Sequence, residues 1–295
     1  MPKVSVIVPT YNRALYLKEA IQSILDQEFQ DFDIIITDNA SSDETESVVA
    51  AFASNKICYY KNEANIGVVN NHNKALSLAT GTYICVFSDD DIMLQDNLAK
   101  KVAVLEKHQS VVLVHSNVFV IDENGKVVGS HWAERYYDKW KISHGKDSVF
   151  TGIDYFKILY CDWNIISMPS VIFRRNVLKN VLGFNAESKY FCDWDMWMRM
   201  VLYGDVYYIQ QPLVKYRMHS SNTINELSKN NEKVELVLIK NMLSDEYGDK
   251  LNRIGIRRAD IEASVAQQVH KYPFDAKPSE PNTFLKLINR MRRMI

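Results

Sequence analysis

Short, almost wholly apolar runs separated by amphipathic stretches fill the first 115 residues, and they leave few folds open. Val4 to Val8 is one such run, ended by Pro9; Ile34 to Ile36, Ile57 to Tyr60, Tyr83 to Phe87 and Val111 to His115 are the others. Runs this short and this apolar are what strands covered on both faces look like. The intervening segments have helical spacing. Leu17, Ala20, Ile21, Ile24 and Leu25 fall on one face, with Asn12 placed to cap that helix. Ser41 with Glu44 resembles a capping box opening a helix through Val48, Val49 and Phe52. Asn71 to Ala79, and a stretch carrying Leu98, Val102 and Leu105, supply two more. Strand and helix alternating through short connections imply an α/β class, with a mostly parallel central sheet flanked by helices.

The pattern changes after His115. "NVFVIDENGKVVGS" reads as a hairpin turning at Asn124-Gly125, a dipeptide suited to a type I′ turn. Trp132 to Tyr160 is aromatic and charged without clear periodicity, as expected of loops and short helices over a site. Val171 to Phe173 and Val206 to Ile209 read as further strands, and Asn225 to Met242 as a helix. The end, "FLKLINRMRRMI", is apolar and basic; a helix docked on the body is preferred over one lying on an anionic membrane surface. The expected organisation is a 1–224 domain, with halves 1–115 and 116–224, and a helical C-terminal extension over 225–295.

Thirty-five basic against thirty-six acidic residues leave a net charge of −1, with no global pull toward nucleic acid. Cys58, Cys85, Cys161 and Cys192 are widely spaced and form no CxxC pair, which suits reduced thiols in a cytoplasmic setting. "MPKVSVIVPT" turns polar too early for a secretory signal, and no apolar run approaches the roughly 20 residues that span a bilayer. Any membrane contact expected is peripheral, at the inner face, through the basic tail.

Ligands of open α/β sheets bind beyond the carboxyl ends of the strands. Acidic and aromatic groups collect there: Pro9, Tyr11 and Asn12 after the first strand, Asp38 after the second, and "FSDDD" after the fourth. Three adjacent carboxylates repel one another unless a cation neutralises them. A carboxylate cluster facing a phosphate suits Mg2+ or Mn2+, hard ions that take one or two protein carboxylates with phosphate and water; the plainer alternative is that the three Asp cap the next helix. GxGxxG and GxxxxGK[ST] are absent, the seven histidines form no HExxH, and no GxSxG occurs.

Seven ordered motifs, "VSVIVPTYNR", "IIITDNASSDET", "NIGVVNNHNKAL", "YICVFSDDDIM", "VIFRRNVLKNVLGFN", "FCDWDMWMRM" and "YRMHSSNT", together resemble a family 2 glycosyltransferase of the GT-A fold over residues 3 to 224. The resemblance implies that Pro9, Tyr11 and Asp38 line a nucleoside pocket, with Asn65, Gly67, His72 and Asn73 beside the nucleotide. It places the DxD motif on Ser88, Asp89 and Asp90: Asp90 as metal ligand, Asp89 toward the ribose or a metal-bound water, Asp91 as a cap. The family often has an acid at the position of Ser88, Asp-Gly at Asn39-Ala40 and Arg at His72. Asp193 matches the catalytic base. Asp195 is its rival, and two residues apart on a helix they cannot share a face. Arg217 and His219 would approach the diphosphate or the metal, and Trp194 the acceptor, unless Trp194 packs in the core. The implied activity is a metal-dependent, inverting transfer of one sugar from a nucleotide-diphospho-sugar, UDP- or dTDP-sugars favoured, to a hydroxyl on a glycan or lipid-linked acceptor of bacterial surface polysaccharide. QxxRW, the signature of processive relatives, is absent. The rivals are a non-catalytic nucleotide-sugar-binding protein and a sugar nucleotidyltransferase. The sequence leaves the sugar, the acceptor and a homo-oligomeric state open.

Overall fold

A computed structural model describes residues 1–130, 146–161, 164–222, 247–249, 251–253, 255 and 257. The helix expected over 225–242 and the basic tail lie outside them. The strands are β1 (Val4–Thr10), β2 (Phe32–Asp38), β3 (Ile57–Lys61), β4 (Tyr83–Val86), β5 (Ile92–Met93), β6 (Val111–Ile121), β7 (Val127–Ser130), β8 (Ser148–Phe150), β9 (Ile172–Arg174) and β10 (Asp205–Arg217). The helices are α1 (Ala14–Leu25), α2 (Thr45–Ala51), α3 (Val68–Leu78), α4 (Asn97–Lys107), α5 (Gly152–Cys161), α6 (Leu178–Val181) and α7 (Cys192–Met200).

They build one α/β sheet in the order β3-β2-β1-β4-β9-β6-β10-β5, with β7 paired to β6 and β8 to β10. Strands β1 to β4 are parallel, and so are β6 and β10; β9 is antiparallel to both β4 and β6. Because β9 reverses the chain direction on both sides, β6 and β10 point the same way as β1. The carboxyl ends of all the parallel strands therefore reach one edge. Residues alternate between two cores: Ile7, Ile35, Ile84 and Val86 pack with α3, α5 and α7, while Val4, Val6, Ile34, Ile36 and Cys85 pack with α1 and α4. This two-sided burial is the physical reason for the uninterrupted apolar runs.

Several local expectations need correction. Pro9 does not end β1; Thr10 continues it beside Asp38. Backbone polar groups alternate sides along a strand, and Thr10 faces β2, so the N–H that Pro9 lacks would face β4, which has already ended opposite Ile7. Asn12 does not cap α1. It sits at φ 52° and accepts from Ser42 N at 2.8 Å, while Asp43 accepts from Ala14 N at 3.0 Å and from Thr45 N at 3.1 Å, capping α1 and α2 together. Ser41 is correspondingly no capping-box residue; its hydroxyl accepts from Asn12 N. The hairpin between β6 and β7 forms, but only Gly125 has positive φ, so the turn is not type I′. Asp122 holds it instead, its carboxylate accepting from Asn124 N and Lys126 N. β6 runs unbroken from Val111 to Ile121, and β10 continues eight residues past Ile209 by absorbing Pro212 in a bulge. Within the stretch expected to be aperiodic, Tyr155, Phe156 and Leu159 form the buried face of α5.

Tyr247 and Leu251 are buried in the same core as α7, so part of the expected extension packs on the body. Among the described residues no helix is long and apolar enough to cross a membrane.

Candidate active site

Asp38 is the last residue of β2 and is fully buried. Its carboxylate accepts from Ser41 N at 2.8 Å and from the Tyr59 hydroxyl at 2.5 Å. The turn after it places Ala40 at φ 64°, a left-handed conformation that glycine adopts with less strain. Beneath the turn lies a connected set of asparagines. Asn39 Nδ2 donates to Asn65 Oδ1, Asn62 Nδ2 donates to Asn39 Oδ1 and Asn71 Oδ1, and Asn71 Nδ2 donates to Thr37 O. Asn65 also accepts from Gly67 N, and Gly67 opens α3 at φ 85°. Pro9 is buried at the end of β1 and Tyr11, just beyond it, is 46% exposed. Tyr11 thus presents an exposed ring just past the end of β1, and Asp38 a fixed carboxylate at the end of the neighbouring β2.

Two neighbours expected at the nucleotide are used otherwise. The Asn73 amide clips the backbone of Phe184, donating to its O and accepting from its N, both at 2.8 Å. His72 bonds Val68 O through Nδ1 and packs edge-on against Phe184; burial lowers its pKa, so it is neutral at pH 7 and does not supply the charge of an Arg.

The three carboxylates after β4 are all buried and take three different roles. Asp89 Oδ1 accepts from Arg13 Nη1 at 3.1 Å. Asp90 Oδ2 accepts from the same Nη1 at 2.5 Å and lies 2.9 Å from His219 Nε2. Asp91 Oδ1 accepts from Arg217 N at 2.7 Å, tying the motif to the end of β10; it caps no helix. Burial pushes Asp89 up to about 6, with Arg13 pulling down and Asp90 pushing up. Burial and Asp90 together carry the Asp91 carboxyl well above the usual range, against the Arg217 N–H and the Ser88 hydroxyl. Ser88 is thus turned toward Asp91.

Arg217 does not face a diphosphate. Its guanidinium is buried, donating to Asp90 O, Glu123 O and Glu19 Oε2 and covering the Tyr16 ring, so it braces the site from behind. Arg13, which the sequence did not single out, is the cation that meets the carboxylates.

Among the described residues no three acidic, histidine or cysteine side chains form a metal cage. The donor set that converges is one carboxylate, Asp90, and one imidazole, His219. That set fits a hard divalent ion which completes its coordination with phosphate oxygens and water.

Asp193 lies in the first turn of α7. Its carboxylate accepts from Trp194 N at 2.7 Å and from Asn164 Nδ2 at 2.9 Å, and burial pushes it up to about 6 against those bonds. Asp195 faces the opposite way, paired at 2.6 Å with Arg199, which also donates to Val181 O and Gly183 O. Trp194 is buried, its Nε1 donating to Leu159 O at 3.0 Å, so it belongs to the core and not to an acceptor site. Asn164 is a site residue without a sequence signal. Burial, with the carboxylates of Asp91, Asp90 and Asp193, holds the hydroxyl of Tyr216, on β10, protonated.

A mixed sheet whose parallel strands end at one edge, with a buried carboxylate cluster after β4 and a half-buried carboxylate on α7, has the GT-A architecture. The chain belongs to glycosyl transferase family 2, whose sequence profile matches residues 5–182. It is 32% identical over 234 residues to an uncharacterized glycosyltransferase of Methanocaldococcus jannaschii, covering 77% of this chain and 74% of that protein. Staphylococcus aureus TarS residues 1–349 in complex with UDP-GlcNAc has the same fold, with a TM-score of 0.68 and 21% identity over 90% of this chain and 71% of that one. A mannosyltransferase of Pyrobaculum calidifontis in complex with GDP-Man and Mn2+ matches with a TM-score of 0.57 and 18% identity, covering 100% of this chain and 81% of that one.

Proposed function

We propose that this chain transfers one sugar from a nucleotide-diphospho-sugar, UDP- or dTDP-sugars favoured, to a hydroxyl of a glycan or lipid-linked acceptor, inverting the anomeric centre. The observation that carries the reading is the pairing of Asp90 with His219 in the cluster after β4, together with Asp193 on α7, raised to about 6 and without a cationic partner among the described residues. Tyr11 offers a face for the base, Asp38 an acceptor for its N–H, and Asp89 a partner for the ribose. Asp90 and His219 would hold the divalent cation, Mn2+ or Mg2+, which supplies charge stabilisation to the departing diphosphate. Asp193 takes the acceptor proton. A carboxylate with a pKa near 6 is ionised at pH 7 yet basic enough for this, and Asn164 fixes its orientation. A single displacement, with no enzyme-bound sugar, inverts the centre through an oxocarbenium-like transition state. TarS with UDP-GlcNAc and the mannosyltransferase with GDP-Man and Mn2+ support a nucleotide-sugar donor and a metal.

A thermal-shift panel of UDP-, dTDP- and GDP-sugars with Mn2+ tests this. Stabilisation by a UDP- or dTDP-sugar is expected, and it should vanish in Asp90→Ala. Stabilisation by none of them, or an undiminished shift in the variant, would sink the donor site.

A further inference from the structure

The ion pair at the carboxylate cluster has the geometry of a competitor. Asp89 and Asp90 are adjacent, nearly closed to solvent and mutually repelling, and one group, Arg13 Nη1, touches both. It sits 2.5 Å from Asp90 Oδ2, the same oxygen that His219 Nε2 approaches at 2.9 Å. A divalent ion shared by that oxygen and that nitrogen would compete with Arg13 for Asp90 and be repelled by the guanidinium charge beside it. The guanidinium can leave, because its side chain is 20% exposed; Arg217, at 1%, is locked among backbone carbonyls.

Ser221 connects the two changes that metal entry requires. Its carbonyl accepts from Arg13 Nη2 at 2.7 Å, and its hydroxyl lies 2.8 Å from His219 Nδ1. In a neutral imidazole whose Nε2 donates to Asp90, Nδ1 accepts from the hydroxyl. For Nε2 to ligate, the proton must sit on Nδ1 and the hydroxyl must turn round to accept it.

We propose that Arg13 is a resident cation that closes the Asp89–Asp90 site in the absence of donor and opposes entry of the metal by itself, so that metal and nucleotide enter together. A bare ion must displace a fork already bound to two carboxylates. A diphosphate arriving with the ion offers the freed guanidinium a new bidentate anionic partner. Metal and nucleotide then bind with positive coupling, and the coupling resides in Arg13. This inference rests on the donor-site reading above.

Calorimetric titration of Mn2+ into the full chain, with and without UDP, tests it on wild type, Arg13→Gln and Arg13→Lys. Arg13→Gln should bind Mn2+ alone about tenfold more tightly than wild type, and UDP should then strengthen Mn2+ binding by about tenfold less. Arg13→Lys, which keeps charge but not the fork, should fall between them. Free of ligand, Arg13→Gln should melt at lower temperature, and Mn2+ alone should raise its melting point more than that of wild type. Equal or weaker Mn2+ affinity in a folded Arg13→Gln overturns the proposal while leaving the donor site standing. So does wild-type coupling in Arg13→Lys, should the glutamine variant fail to fold. Absence of Mn2+ and UDP binding in all three proteins overturns both readings.

Discussion

Asp193 and Asp195, two residues apart in one turn of helix, have opposite fates. Asp195 is cancelled by Arg199, whereas Asp193 has, among the described residues, only amide and backbone donors and its pKa is pushed up to about 6. Asp193→Asn should keep donor affinity and lose transfer by roughly 10²- to 10⁴-fold. In wild type kcat/KM should fall about tenfold per pH unit below about 6, as the base becomes protonated. The stability effect has the opposite sign. A carboxyl whose folded pKa exceeds its unfolded one binds protons more tightly when folded, so its contribution is lost as pH rises from about 4 to about 6. Asp193→Asn should therefore melt above wild type at pH 8 and lose that advantage at pH 4; a lower melting point at pH 8 would remove burial as the cause of the shift. The sequence separated these two acids through helical spacing and placed Asp90 and His219 together through motif order. It did not reveal Arg13 at the carboxylates or Asn164 at Asp193, because those contacts span 77 and 29 residues and leave no local pattern. It also misjudged Arg217, since a basic residue beyond a strand looks the same whether its guanidinium faces a ligand or braces the backbone.

At the scale of elements, α7 carries the proposed base, Asp193, and its buried Asp195–Arg199 pair helps to hold it. Asp195 Oδ2 receives both Nε and Nη2 of Arg199, whose guanidinium also reaches the carbonyls of Val181, the last residue of α6, and Gly183. Asp195→Ala would strand that guanidinium in the core and should destabilise the fold by about 3–5 kcal/mol. Chemical denaturation would measure this, and a loss under about 1 kcal/mol would mean that water replaces the carboxylate. The strands were legible in the sequence because both faces of the sheet are covered, so each reads as an apolar run. The caps were not. One side chain, Asp43, serves the starts of α1 and α2 together, and a scheme that assigns each helix its own cap cannot see it.

Over the whole molecule, part of the chain beyond residue 224 packs on the body. Tyr247 and Leu251 lie in the core that also holds α3, α5 and α7, and the Tyr247 hydroxyl reaches Asn180 O at 3.4 Å. Leu251→Ala should cost about 2–4 kcal/mol, the range for a buried leucine that leaves a cavity, where an independent appendage would predict no change in the melting of residues 1–224. The Arg13–Ser221 contact joins groups 208 positions apart. On a ribosome adding residues from the N-terminus, β1 to β4 can pair while His219 and Asp193 do not yet exist. A chain interrupted before β10 would lack His219 and Ser221, which meet Asp90 and Arg13 in the full chain, so the donor site proposed above is completed late in synthesis.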